Sequence, residues 1–438
     1  MGSELGADRD GCRSDRGGHC GIRRDHRARS DWRKRERAVA HPSSGKFAAV
    51  GGCDRTPRCV HRRGGAGTHP NSQSEDRDSL HPCPKSRRVD GIGTARSGAR
   101  NAVSRTIVER EITEPVSLCL PDGRLNPAAV GWSRRPLHDT AGIDGRSSWG
   151  RNKRWEYWGV TTPTHIVTLT VSSLDYAAVH NILIYDRVSG TTMERGAVAP
   201  LGSSATLPAS LGASSARART RSLTIDIDEV PGGTRLRGRA AGVAFDITAV
   251  RPAGHEALAV VVPWSKSRFQ YTVKDVARPA EGWVEVQGDR FELPAGDSWA
   301  VLDHGRGRWP YKMTWNWGAA SGIVDGRTIG LQLGGRWTDG TGSTENAVLI
   351  DGTLHKVSDE LDWVYDEADW LAPWRIHGGS LDLRFDPFWD HASKTELLVF
   401  GSRGHQCFGH YSGWVDTDLG RIRVDSLLGW AEDIRNRW

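Results

Sequence analysis

Ile323-Val324-Asp325-Gly326-Arg327-Thr328-Ile329 is the stretch whose reading decides the fold class. Apolar and β-branched residues flank an Asp-Gly pair. Asp-Gly supplies the positive φ angles of a two-residue type I′ turn, whose twist matches that of antiparallel strands. Leu349-Ile350-Asp351-Gly352-Thr353-Leu354 repeats the signal. Outward from these hairpins, period-two alternation recurs. Val167, Leu169 and Val171 alternate with Thr168 and Thr170, and Leu223, Ile225 and Ile227 with Thr224, Asp226 and Asp228. Val243, Phe245 and Ile247 share one face, as do Leu381, Leu383 and Phe385. Alternation of this kind predicts one buried and one wet face. A short apolar run occupies 397–400, and 408–415 and 421–428 read as a pair joined near Asp418-Leu419-Gly420. The segment 203–220, rich in Ser, Ala and Arg, reads as a flexible loop or short helix. Roughly 16 to 20 strands and almost no amphipathic helix indicate an all-β protein built as barrels or sandwiches. So many strands exceed one small barrel, so two halves are expected, with a break near 296–301. The echo between Trp155-Glu156-Tyr157-Trp158-Gly159 and Trp315-Asn316-Trp317-Gly318 points the same way.

Charge divides the chain differently. Residues 1–100 carry 22 Lys and Arg against 12 Asp and Glu, and the rest carries 37 against 41. The leading segment also holds five of the seven cysteines but only Trp32 of the 19 tryptophans. With few large apolar groups and no period, it cannot offset the entropy of ordering. Three readings of it stand: upstream sequence translated from a start placed too early, a natural disordered tail, or a functional module. The cysteine gaps are too wide for a zinc knuckle, and no aromatic interleaving accompanies the arginines as in nucleic-acid binding. The expected organisation is therefore a disordered N-terminal extension over 1–104, a first β domain with an irregular lead-in over 105–298, and a second, Trp-rich β domain over 299–438. No secretory apolar core or membrane-length run is evident, and only Cys119 and Cys407 lie beyond residue 100, so a reduced cytoplasmic setting is the default.

Several segments resemble one bacterial family, domain of unknown function 2804. They are Leu120-Pro121-Asp122-Gly123-Arg124-Leu125-Asn126, Lys153-Arg154-Trp155-Glu156-Tyr157-Trp158 and Gly305-Arg306-Gly307-Arg308-Trp309-Pro310-Tyr311. Thr344-Glu345-Asn346-Ala347 and Gly409-His410-Tyr411-Ser412-Gly413 complete the pattern, which spans about 115–438. That family name implies no activity. More distantly, the Trp-rich half is similar to the paired lipocalin-type barrels of the carotenoid 1,2-hydratase and tocopherol cyclase group. This resemblance implies two lipocalin-like antiparallel halves.

Candidate chemistry concentrates in 303–317. Trp315 and Trp317 share a strand face, and paired indoles can line an apolar cavity and stabilise a cation. A carboxylic acid held neutral there, Asp303, could protonate an alkene, with water or an internal hydroxyl capturing the carbocation. The bland alternatives are core packing for the tryptophans and an Asx turn at Asp303-His304-Gly305. His304, Arg306, Trp309 and Tyr311 complete the substrate-binding set. Glu345 is the second catalytic candidate, with Asn346 beside it. It either contacts a ligand or forms a structural bridge to an arginine such as Arg306. Arg154 and Glu156 read as a surface pair. No metal-ligand spacing, nucleophile elbow or dinucleotide loop is present, so no metal or cofactor is expected. Three functions follow: a non-redox enzyme acting on an isoprenoid- or lipid-like molecule, a lipid carrier without turnover, or a carbohydrate-binding protein. The expected partner is an apolar small molecule, without nucleic acid and without a membrane span.

Overall fold

A computed structural model describes residues 106–396 and 401–438. The readings of 1–104 and of the 397–400 run lie outside these residues. The regular structure of the described chain is strand, nearly all of it paired antiparallel, with one short 3-10 turn at Pro127–Ala129. No described helix is long and apolar enough to cross a membrane.

Two large sheets form. In the fourteen-stranded one, Asn152–Thr161 and Trp299–Arg308 lie side by side at the centre. His165–Ser173, Ala177–Asp186 and Thr192–Pro200 extend it on one side. Arg268–Val286 and the meander Val243–Val250, Gly233–Ala240 and Leu223–Val230 extend it on the other. The sheet curls, because apolar residues from opposite wings share one core: Leu169, Ile182 and Ile184 pack with Ile225, Leu236 and Phe245. A bulge in the long Arg268–Val286 strand aids the bend. Its register shifts between Asp275 and Arg278, Ala277 takes a φ of 59°, and the Ala277 amide donates to Ser321 at 2.9 Å. Bulges add local twist in this way.

The nine-stranded second sheet runs from Thr353–Val357 through Arg327–Gly335, Lys312–Val324, Gly420–Arg437, Gly401–Thr417 and Leu381–Glu396 to Asp362–Val364. It too encloses its own core, which joins Leu331, Leu333 and Val348 to Leu381, Leu383 and Phe385. Both Asp-Gly hairpins form as read: Asp325 and Gly326 have φ 51° and 77°, Asp351 and Gly352 φ 51° and 85°. The 408–428 pairing is also present. Strand Trp299–Arg308 belongs to the first sheet, so the change of sheet falls at 309–311, beyond the 296–301 segment singled out in the sequence.

Two readings need correction. The 203–220 segment is not a helix, and it is loop only in part. It contributes the edge strand Ala205–Thr206 and, beside it, Ala216–Arg219, joined by irregular chain over 207–215, and Ala216 and Ala218 enter the core. The wet face expected at Thr168 is buried, at 4% exposure. The outer face of the central strands is covered by the second sheet. A third core joins the two sheets there through Ile166, Val301, Trp309, Trp317, Phe408 and Trp430. The lead-in stays irregular and packs Leu118, Leu125 and Ile143 on the opposite side, against Phe269, Tyr271 and Val273.

Candidate functional site

Side chains on adjacent antiparallel strands line up in rows across a sheet. Lys274, Asp303 and Tyr157 form one such row in the first sheet, and Trp317, Glu432 and Gln406 one in the second. The two rows meet between the sheets: the rings of Tyr157 and Trp317 are 5.5 Å apart, edge to face. Lys274 lies at the centre. Its ammonium is 3.1 Å from Asp303 Oδ1, 3.5 Å from Glu345 Oε2, and 4.1 Å from the Trp317 ring centroid.

Each carboxylate also accepts from an indole. Trp155 Nε1 donates to Asp303 Oδ2 at 3.1 Å, Trp315 Nε1 to Glu432 Oε1 at 2.8 Å, and Trp337 Nε1 to Glu345 Oε1. Thr272 donates to Asp303 at 3.1 Å, and the Gln406 amide donates both to Glu432 Oε2 at 3.2 Å and to the Tyr157 hydroxyl at 3.1 Å. Trp309 stacks on Trp337 and gives its N–H to Gln270 at 2.6 Å. Two glycines make room. A Cβ at Gly305 would lie 2.2 Å from the Trp155 ring, and one at Gly334 would lie 2.1 Å from Glu345 Cγ.

Electrostatics follow from burial. Lys274, Glu345 and Glu432 are at most 7% exposed. Three carboxylates around one ammonium would leave two uncompensated negative charges in a dry site, and protonation relieves this. Burial, with Asp303 adding repulsion, pushes Glu345 up to about 7. Burial pushes Glu432 up to about 8, opposed by the Trp315 hydrogen bond and Lys274. Burial works against the Lys274 ammonium, but Asp303 and Glu345 hold its pKa above the ordinary value. Trp155, Tyr157 and Trp315 turn their polar ends inward yet keep part of their surface in solvent.

The sequence candidates divide. Asp303, Glu345, Trp309, Trp315 and Trp317 come together in this cluster. His304 and Arg306 do not: Asp303 sits within a strand instead of a turn, and alternation turns both neighbours to the opposite face. There Arg306 lies 3.4 Å from Glu156 and donates to the carbonyls of Trp155 and Pro208 at 2.8 and 3.1 Å. His304, 3.5 Å from Glu156, is pushed down to about 4 by burial and the neighbouring Arg306. Glu156 is thus a buried partner of Arg306, and Arg154 pairs with Asp175 at 2.9 Å. The surface pair read for Arg154 and Glu156 does not form, and Glu345 meets Lys274 where an arginine was considered. Asn346 is a clamp, accepting from Gly334 N at 2.6 Å and donating to Asp359 O at 2.8 Å. Tyr311 lies exposed on the connection between the sheets, 5.8 Å from the Arg151 guanidinium.

Lys274, Glu432, Trp155 and Trp337 were missed. A signal for the first two existed: each is a charged residue inside an apolar strand text, Tyr271-Thr272-Val273-Lys274 and Gly429-Trp430-Ala431-Glu432. Such residues are almost never buried unless paired. A cleft of about 570 Å3 also opens behind Arg308, lined by Cys119, Asp122, Asp139 and Asp144. Its three carboxylates accept from their own turn amides, of Arg124, Ala141 and Arg146, so the buried cluster is the stronger site.

Two curled antiparallel sheets clasping a buried lysine–carboxylate–indole cluster define the class of protein. The chain belongs to the family described as domain of unknown function (DUF2804), which matches residues 109–438. No curated protein matches its sequence. Among solved structures it is similar to kievitone hydratase from Nectria haematococca, at 11% identity and TM-score 0.43 over 68% of this chain and 91% of that one. It is also similar to CghA bound to Sch210972, at 12% identity and TM-score 0.42 over 66% and 89%.

Proposed function

We propose that the protein is an acid–base enzyme acting on an apolar, alkene-bearing small molecule of isoprenoid or lipid type. One observation carries this reading: two buried carboxyl groups, Glu345 and Glu432, lie inside a wall of indoles around a single ammonium, where burial pushes them up to about 7 and about 8. A proton held on a carboxyl at its working pH is what general acid catalysis requires. The acid gives its proton to one alkene carbon. The cation left on the other carbon is stabilised by the partly exposed Trp315 face and the returned carboxylate. Water adds to that carbon and returns a proton to the carboxylate, giving an alcohol; capture by an internal hydroxyl gives a ring instead. Asp303 holds the Lys274 ammonium, and the acid role falls to Glu345 and Glu432.

The sugar-binding reading calls for flat, exposed indoles. Among the described residues Trp149 is the one tryptophan left exposed, and it lies outside the cluster. The test is native mass spectrometry of the full chain purified from cells, then denaturing extraction. The extracted molecule is next incubated with fresh enzyme in deuterated water. The expected result is an apolar copurifying molecule and a product with deuterium on carbon, slowed about a hundredfold or more in Glu432→Gln. A bound molecule returned unchanged makes the protein a carrier, and a ligand-free, inactive protein ends the reading.

A further inference from the structure

The segment carrying Glu345 is not itself a strand. Residues 336–345 form an irregular connection between Arg327–Gly335 and Asn346–Ile350, so a group at its end needs fixing from outside. The fixing residue comes from the far end of the described chain. Glu109 turns inward, its side chain 2% exposed, and accepts from the Thr344 amide at 2.8 Å and the Thr344 hydroxyl at 3.0 Å. Its charge is met by Lys356 Nζ at 2.6 Å, itself 6% exposed. The strap is tied on the same side by Thr106 Oγ1 donating to Asp359 at 2.6 Å and Ile107 N donating to Ser358 O at 2.7 Å. Beyond Thr344, Gln332 donates to the Glu345 carbonyl at 3.0 Å. A buried ion pair costs desolvation and is weak evidence for stability alone. Here one member spends both carboxylate oxygens on the residue next to Glu345.

We propose that Glu109 is a positioning residue for Glu345, holding it against Lys274 through Thr344 while neutralising Lys356. The inference rests on the acid role given to Glu345 above. The charged groups that bear on Glu345 are Lys274 and Asp303 from the first sheet, and Glu432 and Lys356 from the second. Glu109 removal leaves the Lys356 ammonium without its carboxylate and the Thr344 amide without its acceptor, so Thr344 is held by its hydroxyl alone, through Val357 O at 3.0 Å and Lys356. An unpaired cation favours the ionised carboxylate, so Glu345 then gives up its proton at lower pH.

The experiment uses the full chain and two readouts besides activity: the carboxyl infrared band that Glu345→Gln abolishes, and the part of the tryptophan fluorescence that Trp337→Phe abolishes, each followed against pH. In Glu109→Ala and Glu109→Gln the Glu345 midpoint is expected to fall by about one pH unit or more. In Glu109→Gln with Lys356→Met it returns toward the wild-type value, because charge is balanced and the amide oxygen still receives Thr344. A midpoint unchanged in Glu109→Ala overturns the positioning role, whatever the turnover. Should that variant not fold, an unchanged midpoint in Glu109→Gln does the same. Turnover unaffected by Glu345→Gln instead ends the functional reading and leaves the midpoint shift standing.

Discussion

At Lys274 one ammonium balances the charge of a site that would otherwise hold three acids. Its removal should therefore cost more than its contacts alone. Lys274→Met leaves Asp303 buried without its cation, and breaking a buried pair on one side costs about 3–5 kcal/mol. Removing the other partner as well, in Lys274→Met with Asp303→Asn, should recover more than half of that loss. Denaturant unfolding of the two variants gives the comparison, and a double variant no more stable than the single would show that the pair has no such role. Half of this cluster was legible in sequence. Asp303, Glu345, Trp315 and Trp317 stood out because unusual residues crowd into short stretches. Lys274 and Glu432 did not, because positions 274, 303, 345 and 432 are far apart in the chain and are gathered only by sheet pairing. His304 and Arg306 fall in the same crowded 303–317 stretch as Asp303, and closeness in sequence says nothing of facing; once the stretch is a strand, alternation separates them.

Strands set what each residue faces, and here glycine sets how closely they approach. Gly305 lies beside Trp155 in the ladder, and the indole lies over it. Gly305→Ala puts a methyl into the Trp155 ring, so the ring must leave Asp303. Overpacking of this kind costs about 1–3 kcal/mol. It should also change tryptophan fluorescence and near-ultraviolet dichroism. Gly326→Ala is the control, since a φ of 77° in an open hairpin costs about 1 kcal/mol without touching any indole. Equal spectral change in both variants would remove the assigned role of Gly305. Local chemistry made the hairpins readable, because an Asp-Gly turn is specified by its own two residues. The short strands in 203–220 were not readable, because Ala216 and Ala218 are small and gain their place only from the core that covers them. Thr168 misled for a related reason: its strand gives the alternation of a half-wet sheet, and the second sheet, unseen in local text, buries the other face.

For the whole molecule, the protons stored between the sheets should appear in stability. Glu345 and Glu432 titrate near 7 and 8 in the folded chain against an ordinary value of 4.5, so the native state binds more protons than the unfolded state between those limits. Stability from these two groups is fully present below 4.5 and is lost as pH rises through their folded values. Other groups run the opposite way. Burial depresses His138, His165, His180, His304 and His410, so each destabilises the fold at pH below 6.5 and stops doing so as pH rises through it. Lys153, lowered to about 8 by burial, adds a rising contribution as pH passes through that value. Between 6.5 and 8 the carboxyl pair runs against these groups, so the difference in melting temperature between the wild type and a variant lacking both carboxyls isolates the pair, and that difference should fall across the window. Glu345→Gln with Glu432→Gln removes both titrations while keeping the hydrogen-bonding shape, so its melting temperature should stay level or rise over the same range. A wild type that runs parallel to the variant from 6.5 to 8 would mean that both carboxylates are already ionised at 6.5. The proposed proton donors would then be empty at neutral pH, and the two sheets would enclose a salt-bridged core in place of an acid site.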